Sequence, residues 1–242
     1  MEVAFIVPNA LAAYSSLGDY FFILPQNASD WYTDRSQFKM LDNGAYEGES
    51  VSLDKLLQLA RIVKANEVVT PDVMHDACKT LLNAKWWVTK IHLAGYEVAV
   101  VPQGCNVYEF INCYKAMLEI PFVDTICIPK WLGRLRPYVI RYLENQRLLK
   151  HQYNYHLFGL DYIEELYCYR ALKVPRRSVD TSMPFTCAYH NYRCGIFKTE
   201  IALDSDRQHF PRIPWNATAF TDEQAKIATE NCKVIKDVAK SI

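Results

Sequence analysis

The sequence carries no excess charge of either sign: Lys plus Arg and Asp plus Glu each number 27 in 242 residues. Without a net field to gather polyanions, histone-like or polybasic binding is excluded, although a local basic groove is not. No run approaches the roughly 18 apolar residues that a membrane-spanning helix needs. The first residues, MEVAFIVPNALAAYSSLGDY, open with an acidic side chain where a secretory leader is basic. These absences predict a soluble protein of the cytoplasm. The phosphate-cradling patterns GxGxxG and GxxxxGK(S/T) are missing, so nothing indicates a dinucleotide or P-loop site. The eight cysteines (78, 105, 113, 127, 168, 187, 194 and 232) are spread through the chain with no leader ahead of them, and reduced thiols are expected. Cys113, Cys127 and Cys168 lie in apolar stretches and read as small hydrophobes. No low-complexity segment or linker divides the chain, and residues 1–242 read as one domain.

What is present is a repeated alternation. Short apolar, β-branched runs predict strands at Val3 to Val7, Tyr20 to Leu24, Phe38 to Leu41, Glu67 to Thr70, Glu97 to Val101, Thr125 to Ile128, Tyr155 to Phe158 and Ser178 to Thr181. Between them, apolar residues at three- and four-residue spacing predict helices at Leu53 to Lys64, Cys78 to Leu93, Val107 to Leu118, Arg134 to Lys150 and Tyr162 to Leu172. Asp161 precedes the last of these as a cap, and Thr221 caps a closing helix at Asp222 to Lys240. The stretch from Phe185 to Trp215 is the least periodic and reads as an excursion over one face. Eight strands in this length fit an α/β chain of (β/α)8 barrel type. A doubly wound open sheet would produce the same local pattern.

Buried parallel strands are continuously apolar, so polar residues at their C-terminal ends mark a site. Four ends share this character: Asp42-Asn43-Gly44 after FKML, Pro71-Asp72 after EVVT, Gln103-Gly104 after VAVV, and Asp180-Thr181-Ser182. In a barrel they converge on one mouth, with Gly44, Gly104 and Gly159 letting backbone approach a ligand. Each has a plain structural alternative: Asp-Asn-Gly and Gln-Gly are turn sequences, and Asp72 is a cap candidate. Asp180 is harder to assign that way, because it interrupts a short apolar strand with no glycine or helix start nearby. His75 is either a contact to substrate or an ordinary residue ahead of a helix, and His156 is a packing candidate. Paired carboxylates suit a glycosidic carbon, one as nucleophile and the other as general acid or base. A further Asp beside a Gln supplies acceptors and donors for the edge of a planar base. The bond implied is one between a sugar and a base.

The segments LDNGAYE (41–47), TPDVMHDACKT (70–80), VPQG (101–104), HLFGL (156–160) and SVDTSMPF (178–185) resemble, in order, those of the tRNA-guanine transglycosylase superfamily. The likeness is nearest to its small phage and bacterial branch, which inserts 7-deazaguanine derivatives into DNA. It implies that Asp180 is the nucleophile that attacks the sugar C1′ and holds the nucleotide as a glycosyl ester. Asp42 would be the general acid/base, with Asn43 and Gly44 beside it lining the base site. Asp72 would bind the guanine edge, Gln103 and Gly104 the purine carbonyl, and Gly159 the substituent at the 7-position. The implied reaction replaces guanine in DNA by a free 7-deazaguanine base such as preQ0, without a cofactor.

The sequence also departs from that family. The CxCxxC cluster and distant His that hold structural zinc in the tRNA enzymes are absent. Cys187, His190 and Cys194 have CxxHxxxC spacing and, with Cys78, Cys105 or His209, offer the remaining candidates for a tetrahedral metal site. Without the zinc subdomain, DNA becomes the expected partner ahead of tRNA. A base cannot be attacked at C1′ within a stacked duplex, so base flipping or a single strand is required. Lys130, Arg134, Arg136, Arg176, Arg177, Arg193, Lys198, Arg207 and Arg212 are candidate phosphate contacts, the last four interleaved with Tyr189, Tyr192, Phe210 and Trp215. Rival readings are a nucleoside N-glycosidase or deoxyribosyltransferase, and a non-catalytic nucleic-acid-binding subunit.

Overall fold

The computed structural model describes residues 1–48, 51–160, 162–169, 177–194, 213–214 and 216–242. Within them eight strands alternate with helices and the strand pairings are parallel, a (β/α)8, TIM-barrel-like fold. The strands are β1 (Glu2–Phe5), β2 (Phe21–Ile23), β3 (Lys39–Leu41), β4 (Glu67–Val69), β5 (Glu97–Val100), β6 (Thr125–Ile128), β7 (Asn154–Leu157) and β8 (Arg177–Thr181). The α-helices are α1 (Leu53–Val63), α2 (Ala77–Leu93), α3 (Val107–Met117), α4 (Arg136–Asn145), α5 (Glu164–Cys168), α6 (Met183–Tyr189) and α7 (Asp222–Ser241).

Local chemistry explains most of these bounds. Strands β3, β4 and β6 are buried at every residue and are mainly apolar, each opening on one buried polar residue: Lys39, Glu67 and Thr125. The Lys39 ammonium donates to the Arg35 carbonyl at 2.5 Å; burial, with Lys64 nearby, holds its pKa below the usual lysine range. Helices α1, α2 and α3 begin where Ser52, Asp76 and Asn106 accept from the backbone N–H three residues on. At α7, Thr221 and Gln224 form a reciprocal capping box.

The chain divides into two compact units. One comprises Met1–Phe21, Gly159–Leu172 and Ser178–Ile242. In it β1 pairs with β8, setting Ala4 opposite Asp180, and α7 packs on α6 and β1. The Lys236 ammonium on α7 donates to the Leu17 carbonyl at 2.9 Å and pairs with Asp19 at 2.8 Å. The other Asp19 oxygen accepts from the Val3 amide. Buried Asn231 accepts from the Cys194 amide at 2.7 Å and donates to the carbonyls of Pro184 and Tyr192, using both ends of its amide.

The other unit comprises Phe22–Phe158 and Lys173–Arg177. Its strands run in the order β7-β6-β5-β4-β3-β2, with Val68 opposite Val98 and Cys127 opposite His156. Helix α1 contributes Leu56, Leu59, Ala60 and Val63 to its core, one face of a helix. His156 is fully buried and stacked on Phe22, so it packs.

Four elements differ from the periodicity, the first being α5, which covers only Glu164–Cys168 of the helix expected from Tyr162. Helix α4 starts at Arg136, because Lys130–Leu135 is 3-10 helix broken at Gly133, and it stops at Asn145, where Arg147 turns left-handed and the Leu148 amide closes onto the Leu143 carbonyl. Helix α6 runs into the stretch expected to be irregular, and Asn9–Leu17 forms a 3-10 segment that no pattern announced. Asp161, Arg176, Lys198, Arg207, His209, Phe210, Arg212 and Trp215 lie outside the described residues. Among those described, no helix is long and apolar enough to cross a membrane.

Candidate functional site

The ends of β3, β4 and β5 bring Asn43, Asp72 and Gln103 into one hydrogen-bonded cluster. Asn43 Nδ2 donates to Asp72 Oδ1 at 2.9 Å, and Gln103 Nε2 donates to Asp72 Oδ2 at 2.5 Å. The amides are fixed in turn: Asn43 also donates to the Thr70 carbonyl at 2.8 Å and accepts from the Ala45 amide at 2.7 Å, while Gln103 Oε1 accepts from the His75 amide at 3.4 Å. Asn43 and Gln103 are almost wholly buried. Burial pushes the Asp72 carboxyl above its ordinary pKa, and the two amide donors pull it back only in part. A carboxyl gripped at both oxygens by oriented amides is stiff, and a ligand that binds it has to displace one of those amides.

Asp42 precedes this cluster and is buried. Its amide donates to the Ile23 carbonyl at 2.9 Å, and its carboxylate accepts from the Gly44 amide at 3.2 Å, closing a tight turn at the end of β3.

Asp180 lies within β8 and is 4% exposed. Its Oδ1 accepts from the Gly159 amide at 3.0 Å, and its carbonyl accepts from the Leu160 amide at 2.9 Å. Next to it, Thr181 Oγ1 donates to the Leu160 carbonyl at 3.1 Å and accepts from the Met183 amide at 3.0 Å. Gly159 and Asp180 are thus joined directly. At φ 59° Gly159 is left-handed, a conformation that suits a residue without Cβ.

Gly104 is packed closely against α3: a Cβ there would stand 2.5 Å from the Phe110 amide nitrogen and 2.8 Å from Glu109, so the missing side chain makes room for the first turn of that helix. Among the expected phosphate contacts, Arg136 differs: it is 1% exposed, and its guanidinium donates to the Phe158 carbonyl, a buried packing role. Arg193 is on the surface but is held at 2.9 Å by both Glu223 and Glu230 of α7, which offset its charge. Arg134 is exposed and Lys130 half-buried, both on the 3-10 segment after β6. Arg177 opens β8, and its side chain lies outside the described part.

Cys187 and Cys194 are buried, and the Cys194 thiol is pushed far above its ordinary pKa by a hydrogen bond with Cys187 and by burial. The His190 ring meets Tyr189 edge-on at 5.3 Å. Among the described residues, no three His, Cys, Asp or Glu side chains are grouped to hold a metal ion.

Two residues beside the Asp72 cluster come together: His75, a candidate substrate contact in the sequence, and Trp131, which had no assigned role there. His75 has φ 61°, and its exposed ring meets the half-buried indole of Trp131 at 5.4 Å and 65°. The available signal for Trp131 was its place between Lys130 and Arg134 just past a strand end. No known protein-family model matches this chain, and no curated protein matches it.

Proposed function

We propose that the protein is a DNA base-exchange transglycosylase that replaces guanine with a free 7-deazaguanine base. The observation that supports this reading is the amide–carboxyl–amide cluster of Asn43, Asp72 and Gln103, drawn from three successive strand ends. Its side-by-side donors and acceptors match the polar edge of a purine, which exchanges with the amide partners on binding. The order of the motifs along the chain supports the same reading.

In the first half-reaction, by the likeness of its motif, an Asp180 oxygen would attack C1′, the bond from C1′ to N9 would break, and guanine would leave with a proton from a general acid, the role the same likeness gives Asp42. The Gly159 amide holds the other Asp180 oxygen, aiming the nucleophile. In the second, Asp42 takes the proton from N9 of the incoming deazaguanine, N9 attacks C1′, and the Asp180 carboxylate departs. The C1′ ester conserves the glycosidic bond energy, so exchange needs no nucleotide triphosphate.

The test is incubation with single- and double-stranded DNA and a labelled 7-deazaguanine, followed by digestion to nucleosides. Label in the nucleoside fraction is expected. A folded protein that incorporates none into either form overturns the proposal.

A further inference from the structure

Two rings beside the Asp72 cluster are held together at some local cost. His75 takes a left-handed backbone conformation that non-glycine residues avoid. Trp131 has its indole N–H buried without a hydrogen-bond partner among the described residues. Such departures from local preference, when they converge on one contact, mark function more often than packing. The two rings meet at 65°, forming a corner, and the His75 side of it is open to solvent. Phe110 also meets Trp131 edge-on, at 6.3 Å. The corner is tied to the cluster through the backbone, because the His75 amide donates to Gln103 Oε1. Arg134 is exposed on the same 3-10 segment as Trp131, and the nearest acidic neighbour in sequence, Asp76, is occupied by Lys79 at 3.0 Å.

An open aromatic corner is a stacking platform for nucleobases. We infer that His75 and Trp131 form a subsite that stacks a base flanking the one exchanged, so that the substrate is a polynucleotide strand and not a free nucleoside. This rests on the base-exchange reading above for its position along the strand, while the stacking itself does not depend on catalysis.

The experiment is fluorescence anisotropy with a fluorescein-labelled single-stranded DNA about twelve nucleotides long, within the span such sites cover. His75→Asn keeps a residue that tolerates the left-handed backbone but removes the ring, whereas His75→Phe keeps a ring. Affinity is expected to fall about tenfold in His75→Asn and to stay within about twofold of native in His75→Phe, the loss being that of one stacked base. The inference is overturned if His75→Asn binds like the native protein, if His75→Phe is as weak as His75→Asn, or if the native protein does not bind the strand. Exchange is assayed in parallel. Loss of the binding pattern with exchange intact removes only the subsite, and absence of exchange with the pattern intact removes only the transglycosylase reading.

Discussion

The amide of Gly159 donates a 3.0 Å hydrogen bond to Asp180 Oδ1. An amide oxygen accepts that bond as well as a carboxylate oxygen does, so Asp180→Asn keeps the local geometry and loses the nucleophile. Thermal unfolding is expected to stay close to native while exchange falls by at least about a thousandfold, the scale seen when a covalent catalyst is removed. A variant that exchanges at the native rate would refute the assignment.

Gly104→Ala tests the close approach of α3. The added Cβ would stand 2.5 Å from the Phe110 amide nitrogen, so backbone has to shift. A loss of about 1–3 kcal/mol is expected in urea unfolding, the usual cost of overpacking a filled site. An unchanged midpoint would show that α3 yields freely.

The raised pKa of Asp72 makes stability depend on acidity at that position. Its neutral form is favoured in the folded state, so the contribution is fully present below the unfolded value of 3.8 and is lost as pH rises through the higher folded value. In urea unfolding from acid to neutral pH, the stability of the native protein relative to Asp72→Asn should therefore decline as pH increases. A difference that stays level across that range would contradict the shift.

Arg134 and Arg136, two residues apart, are expected to respond oppositely. Arg136→Met should destabilise by about 1–3 kcal/mol, because it removes a buried donor from the Phe158 carbonyl. Arg134→Ala should change stability by less than about 0.5 kcal/mol, as exposed substitutions do, and should weaken DNA binding. Equal effects of the two on stability would refute the burial contrast.

How much of this was legible in the sequence follows from the range of the forces involved. Strand β6 has the bounds Thr125 to Ile128 that its apolar run predicted, and Thr221 caps α7 as expected through a contact three residues away, whereas Asp76, not Asp72, caps α2. Arg136 was not legible, because its partner carbonyl is 22 residues further along and a cation past a strand end looks like a surface group. That Gly104 also makes room for α3 was not legible, because a helix that fills a glycine's space is indistinguishable, in sequence, from one that stands clear. The polar strand ends at Asn43, Asp72 and Gln103 were legible as a set. That both amides grip the one carboxyl depends on strand register, which periodicity does not encode.

The bonds from Met1 to Ala239 and from Leu17 to Lys236 span 238 and 219 positions of sequence. Closing contacts over so long a stretch of chain costs conformational entropy that the packing of β1 against β8 and α7 has to offset. Substitutions that loosen α7 should therefore free the edge of β1 as well.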